Sequence, residues 1–287
     1  MKIAILILAH KERPQIEFLI NQLQHPSFNI YLHLDKKADF SYDDIRANFT
    51  KIERNYKCSW GGYSVAKGTF SLLKKAFSQG NEYFVLISAQ DFPVKTNEQI
   101  FNFFLENRGK SYINIISKEQ VKVEPLVNYD NFLNRFTFIH VPKIVPSNIF
   151  EKVSCSFKAR FRKLQKKYLF LRFSVPDNIY AGENWFNLHR DEVSDLLKEY
   201  KKSIFLRLRL SLGLSMEEVL PHTLLMRNLN VDKWVNDSLR FTIWKSGTSH
   251  PENLTYENLN EAISSNELFA RKFDDISLIQ QVSDKLT

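Results

Sequence analysis

An α/β architecture, a mainly parallel sheet with helices on both faces, is what this sequence predicts. Two observations carry that expectation. Apolar runs alternate with segments of helical spacing through the first half, which is the pattern of consecutive βαβ units. Hydrophobic residues make up 44% and aromatics 14% of 287 residues, enough for a sizeable core and too much for a disordered chain.

The elements follow in order. Ile3–Leu8 reads as a buried strand and Pro14–Leu23 as a helix. Ile30–Leu34 is a second strand, ending at Asp35. Val65–Phe77 has helical spacing, with Leu72, Leu73 and Phe77 on one side. Tyr83-Phe84-Val85 leads into Phe84–Ser88, a third strand that runs into a polar turn at Gln90-Asp91. Pro93 stops any continuation of that ladder. Glu98–Leu105 is the following helix. Ligands of open α/β sheets bind at the carboxyl ends of the strands, so Gln90 and Asp91 are candidate substrate-binding residues.

The second half is less regular. From about Val145 to Phe173, Phe150, Val153, Phe157, Phe161, Leu164 and Tyr168 recur at helical spacing among Lys152, Lys158, Arg160, Arg162, Lys163, Lys166 and Lys167. This reads as a helix packed on the domain with a solvated basic face, or as a surface for anionic lipid or an anionic acceptor. A further helix is expected near Glu217–Leu225, with Pro221 kinking it or delaying its start. With no linker or internal repeat visible, residues 1–287 read as one catalytic domain.

The net charge of +8 favours an anionic partner. Nucleic acid is disfavoured, since no recognised binding motif occurs. The two cysteines, Cys58 and Cys155, give neither a disulfide framework nor zinc spacing, and fit a reducing compartment. Met1–Ala9 flows into His10-Lys11-Glu12-Arg13 without a cleavage site, as a first strand would. No apolar stretch reaches the roughly 18 residues that span a bilayer.

Gln90-Asp91-Phe92-Pro93-Val94-Lys95-Thr96 resembles a signature of the core-2/I-branching β-1,6-N-acetylglucosaminyltransferases and the related peptide O-xylosyltransferases. Four more segments agree, in the family's order. Ala9-His10-Lys11 with His33-Leu34-Asp35-Lys36-Lys37 resembles its nucleotide-binding strands, and Ser59-Trp60-Gly61-Gly62-Tyr63-Ser64 its Ser-Trp segment. Ser215-Met216-Glu217-Glu218 resembles its catalytic Ser-Pro-Asp-Glu segment, with Met216 in place of proline. Leu268-Phe269-Ala270-Arg271-Lys272-Phe273-Asp274 resembles its C-terminal basic motif.

The resemblance implies a glycosyltransferase-A type fold and inverting transfer of a sugar, N-acetylglucosamine foremost, from a UDP-sugar to a glycan or lipid-linked glycan hydroxyl. UDP-xylose is the alternative donor, and a non-catalytic sugar- or nucleotide-binding relative the alternative function. Eukaryotic relatives carry a membrane anchor and stem, for which this chain leaves no room. A bacterial, cytoplasmic version is therefore expected, peripheral to the membrane if residues 150–172 touch it.

Such a transfer needs a grip on the nucleotide, a base for the acceptor hydroxyl, and compensation for the departing diphosphate. No two aspartates are separated by one residue, so the usual metal-holding Asp-any-Asp is missing. The resemblance implies no divalent metal and no other cofactor, with basic side chains instead. It assigns Lys272 to the diphosphate, and leaves Arg240, Lys245 and His250 as candidates for a second cation. On residues alone, Glu217-Glu218 reads as favourable first-turn charge and Ser-x-x-Glu as a capping box. The resemblance singles out Glu218 as the base. It also places Asp35, Ala9 and His10 at the nucleotide, with Lys57 at the aligned position of a tyrosine beside the base and Tyr56 next to it. Gly182-Glu183-Asn184-Trp185-Phe186 resembles a further family segment, which makes Glu183 and Trp185 candidate sugar contacts. Trp60 is expected to be structural.

Overall fold

The computed structural model describes residues 1–122, 129–142, 146, 148–245, 248 and 250–286. The chain opens with β1 (Ile3–Ala9), α1 (Arg13–Gln22), β2 (Phe28–Leu34), β3 (Thr50–Lys51), α2 (Tyr63–Ser78) and β4 (Tyr83–Ser88). It continues through β5 (Asp91–Pro93), α3 (Asn97–Glu106), β6 (Ser111–Ile113), β7 (Ile116–Ser117), α4 (Lys118–Val121), α5 (Tyr129–Thr137) and α6 (Ile149–Lys167). After α6 come β8 (Tyr180–Ala181), β9 (Phe186–His189), α7 (Arg190–Lys202), α8 (Ile204–Leu210), α9 (Leu220–Leu225), β10 (Trp234–Val235) and β11 (Arg240–Phe241). The last elements are α10 (Tyr256–Ser264), β12 (Phe269–Arg271) and α11 (Ile276–Leu286).

Among the described residues the main sheet has seven strands in the order β10-β6-β9-β4-β1-β2-β3. β1 pairs in parallel with β2 and with β4, Ile5 standing opposite both Ile30 and Val85. Only β9 runs against its neighbours, β4 and β6. Side chains of β1 alternate between two cores. Ile3, Ile5 and Ile7 face Ile16, Leu19 and Ile20 of α1, with Ile100 and Phe104 of α3 and Ile279 and Val282 of α11 on the same side. Ala4 and Leu6 face the other side, with Phe70 and Leu73 of α2, Phe132 and Phe136 of α5 and Leu224 of α9. Each fully buried side chain of this size contributes roughly 1.5–3 kcal/mol. The mainly parallel α/β sheet with helices on both faces is therefore as expected, and so are all six elements of the first half, to within a few residues.

One local expectation is extended and one corrected. Strand structure does end at Pro93, but after the turn at Ala89-Gln90 a further strand intervenes: Asp91–Pro93 forms β5, an edge strand of a small sheet ordered β11-β12-β5. Proline is tolerated there because an edge position need not donate. The helix expected over Glu217–Leu225 is broken into a 3-10 turn, Met216–Glu218, and α9. Ser215 sits in the left-handed region at φ 55°, and its hydroxyl makes no capping bond, so Ser-x-x-Glu is not a capping box here. Pro221 lies in the first turn of α9, where its missing N–H costs nothing. The expected basic segment is α6, followed by a 3-10 turn at Leu169–Leu171. Val145, at its expected start, lies outside the described residues.

Candidate active site

A cleft of about 570 Å³ opens at the carboxyl ends of β1 and β2, within the usual range of roughly 300–1,000 Å³ for small-molecule sites. Leu8, Ala9 and His10 line one wall, with His33, Asp35 and Lys37 beside them. Asp35 N donates to the Ala9 carbonyl at 2.8 Å, which fixes the two strand ends side by side. The buried Asp35 carboxylate accepts from Lys37 N at 2.8 Å and from Cys58 N at 3.2 Å, and pairs with Lys37 Nζ at 3.8 Å. These bonds aim a carboxylate with spare acceptor capacity into the cleft. Burial, then the charge of Lys11, lowers the pKa of His10, so its imidazole is neutral at pH 7. Burial likewise lowers His33, whose Nε2 accepts from Tyr56 N at 3.1 Å. The Cys58 thiol is pushed up to about 12, chiefly by burial and then by Asp35, and is inert.

The opposite wall carries Glu217 and Glu218. Two glycine-dependent contacts bring them there. Gly61, at φ +64°, accepts at its carbonyl from Ser215 N at 2.8 Å, and a Cβ on Gly61 would meet Leu214 at 2.4 Å. Gly182 N donates to the Glu218 carbonyl at 3.0 Å, and a Cβ there would lie 1.9 Å from the Asn114 carbonyl oxygen. At Gly182 only glycine permits such an approach of two backbones, and at Gly61 glycine suits the left-handed φ.

The two carboxyls have different surroundings. Glu218 Oε2 accepts from Arg135 Nη1 of α5 at 2.7 Å, a contact about one-third exposed on each side. Glu217 Oε2 is enclosed and has no hydrogen-bond partner among the described residues. Burial first, then the neighbouring Glu218 carboxylate, pushes Glu217 up to about 8. At pH 7 Glu217 is therefore mainly a neutral acid, able to donate.

The third wall is where β5 and β12 meet. They run antiparallel with Arg271 opposite Asp91 and Phe269 opposite Pro93. Two sequence segments about 180 residues apart thus form one piece of structure. Asp91 is fully buried, accepts from Ser88 N and Oγ, and pairs with Arg271 Nη1 at 3.4 Å. Arg271 lies over the Trp185 ring at 4.2 Å and lines the cleft, its Nε without a partner among the described residues. Asn184 Oδ1, also in the cleft wall, is another buried and unpaired atom. Buried polar atoms left unpaired mark where a ligand can supply the bond.

Of the residues singled out from the sequence, Ala9, His10, Asp35, Glu183, Trp185, Glu218 and His250 line this cleft. Others do not. Lys57 pairs with Glu151 of α6 at 3.1 Å. Gln90 bonds to Asp274. Asp91 lies beneath Arg271, so it positions a cation rather than meeting a ligand itself. Arg240 is buried, donating to Leu86 O at 3.0 Å and Ser238 O at 2.9 Å, with its guanidinium over Phe269. It is a core brace between strands. Lys245 is exposed and pairs with Glu252 at 3.0 Å. Lys272 pairs with Asp274 at 3.5 Å and is close enough to help lower His10, but the neighbouring Arg271 forms the wall. Trp60, expected to be structural, is 57% exposed at the cleft edge.

Arg135 and Asn184 escaped sequence reading. Arg135 had no signal, because its partner lies 83 residues away. Asn184 sat inside a recognised segment in which only its neighbours were chosen.

The model of the Core-2/I-branching enzyme family matches residues 3–266 of this chain. The chain belongs to that family. Among curated proteins it is similar to Xylosyltransferase 1 of Rattus norvegicus, 20% identical over 260 residues that cover 85% of this chain and 28% of that protein. It is also similar to Xylosyltransferase sqv-6 of Caenorhabditis briggsae, 22% identical, covering 97% of this chain and 35% of that one. The chain thus spans about a third or less of the length of these relatives. Among solved structures, a 4-diphosphocytidyl-2C-methyl-D-erythritol synthase from Anaerococcus prevotii aligns over 92% of this chain and 97% of that one, at 13% identity and a TM-score of 0.39.

Proposed function

We propose that this protein is an inverting glycosyltransferase that needs no divalent metal. It moves a sugar, N-acetylglucosamine foremost, from a UDP-sugar to the hydroxyl of a glycan or lipid-linked glycan, and it acts in the cytoplasm as a single catalytic domain. The observation that carries the reading is the facing arrangement of Asp35, Glu218 and Arg271 around one cleft in a chain of this family.

The roles follow from the chemistry. Asp35 accepts hydrogen bonds from the uracil or ribose, beside Ala9 and His10. The acceptor oxygen attacks the anomeric carbon from the face opposite the nucleotide, and Glu218 takes its proton. The C–O bond to the diphosphate breaks as the new one forms, so the anomeric configuration inverts. Arg271 and Lys272 compensate the charge on the leaving UDP. Metal independence is supported by the missing Asp-any-Asp. Glu183 and Trp185 contact the sugar, and neutral Glu217 donates to a hydroxyl near the reacting centre.

A second donor, UDP-xylose, is favoured by the names of the relatives above. The test is nucleotide release by purified protein across a panel of UDP-sugars. UDP-N-acetylglucosamine as the best donor supports the first reading and UDP-xylose the second. No release from any UDP-sugar, with or without glycan acceptors, overturns both.

A further inference from the structure

We infer that α6 docks the protein on an anionic lipid bilayer through an exposed apolar face bordered by lysines. The inner side of α6 is fixed by Gln165, which is buried. Its Oε1 accepts from Ile139 N at 2.8 Å and its Nε2 donates to Leu171 O at 3.0 Å. The outer side is apolar. Ile149, Phe150, Val153, Phe157 and Leu164 are all exposed, Phe150 by 81% and Phe157 by 65%. At 3.6 residues per turn these five fall within an arc of about 100°, one coherent stripe. Just past the helix, Phe170 is 83% exposed. α8 adds Phe205 at 87%, and is tied to this region by Arg209, which donates to Ser174 O at 2.7 Å and lies over Phe173.

Charge names the occupant. Between residues 149 and 174 there are eight lysines and arginines and one acid, Glu151, which is engaged with Lys57. Lys152, Arg160, Lys163, Lys166 and Lys167 are exposed, Arg160 within the arc and the four lysines along one edge of it. An apolar stripe with a cationic edge is what an interfacial helix presents to acyl chains and anionic headgroups. A second copy of the chain fits worse, since a two-fold contact would set lysines against lysines. A bilayer-spanning role is not at issue: among the described residues no helix is long and apolar enough to cross a membrane. The Lys57–Glu151 pair joins the start of α6 to the Cys58–Gly61 segment that lines the cleft. A bilayer under α6 would therefore lie beside the cleft mouth, where a lipid-linked acceptor could reach it.

The test is co-sedimentation of the full chain with vesicles in low salt, without donor or acceptor. It is independent of whether transfer occurs. Wild type is expected to bind vesicles of mixed phosphatidylglycerol and phosphatidylcholine and to leave pure phosphatidylcholine in the supernatant. Each lysine near an anionic surface strengthens partitioning about fivefold, so Lys163→Gln, Lys166→Gln and Lys167→Gln together should lower it about 100-fold. Phe150→Ser with Phe157→Ser should lower it at least about tenfold. These side chains are exposed, so both variants should keep the wild-type melting temperature, which separates lost docking from lost fold. Equal binding to neutral vesicles, no binding to anionic ones, or wild-type binding by the double phenylalanine variant would each overturn the inference. So would a dimer in solution that this variant disperses, which would assign the face to a second copy.

Discussion

Glu218→Gln separates the proposed base from an ordinary surface carboxylate. The substitution keeps the side-chain shape and leaves an amide oxygen that can still accept from Arg135. The contact it weakens is 2.7 Å long, with partners 30% and 35% exposed. A pair this accessible to water contributes about 0.2–1 kcal/mol, at most a factor of about five in an equilibrium. Positioned proton transfer contributes far more, roughly 10²–10⁴ in rate. The expected result is a turnover lower by about 10²–10⁴ with stability changed by no more than about 1 kcal/mol and UDP affinity nearly unchanged. Steady-state nucleotide release with a glycan acceptor gives the rate, and calorimetric titration with UDP gives the affinity. Near-normal turnover refutes the assignment. A parallel loss of UDP affinity would instead place Glu218 in the grip on the nucleotide, and a larger loss in Glu217→Gln would move the base by one residue.

Glu217→Gln should turn over almost normally at pH 7, because the acid it replaces is already mainly neutral there. The folded state holds that proton more tightly than the unfolded chain does. Stability is thus fully present below the ordinary carboxyl value of 4.5 and lost as pH rises through about 8. Denaturant unfolding across that window should show the decline in wild type and a shallower one in Glu217→Gln; identical slopes contradict the burial argument. Lys272→Ala should lower turnover by about 10²–10³ and weaken UDP binding without changing the melting temperature. Arg271→Ala should also cost about 3–5 kcal/mol of stability, since it strands the buried Asp91 carboxylate. A stable Arg271→Ala protein would show that Ser88 alone satisfies Asp91. Gly182→Ala should cost about 1–3 kcal/mol and lower turnover, because the backbone must move away from Asn114 and carries Glu218 with it. Wild-type stability and rate in that variant would contradict the close approach.

The parts of this structure that were legible in the sequence are those decided locally. β1 and β4 are buried on both faces, so each reads as an apolar run, and Ile30–Leu34 of β2 reads as one broken only by His33. Asp35 and Glu218 were found because each sits in a segment matching a family pattern. Residues decided by distant partners were not legible. β5 and β12 are three residues long and exist through each other, which no local period reveals. Arg240 and Arg271 look alike in sequence, each beside apolar residues. One is taken into the core by carbonyls of Leu86 and Ser238, and the other is held at the cleft wall by Asp91. Lys57 matched an aligned tyrosine, yet Glu151 of α6 captures its side chain. The break between Glu218 and α9 follows from the left-handed Ser215, a conformation set by the Gly61 contact rather than by the residue itself.

Sugar transfer in excess EDTA tests the central claim most directly. The account holds that Arg271 and Lys272 balance the diphosphate charge that a metal ion would otherwise carry. With the best UDP-sugar donor and a glycan acceptor, the rate in EDTA should equal the rate without it, and added manganese should not raise it. Complete loss of transfer in EDTA, restored by manganese, would contradict the account.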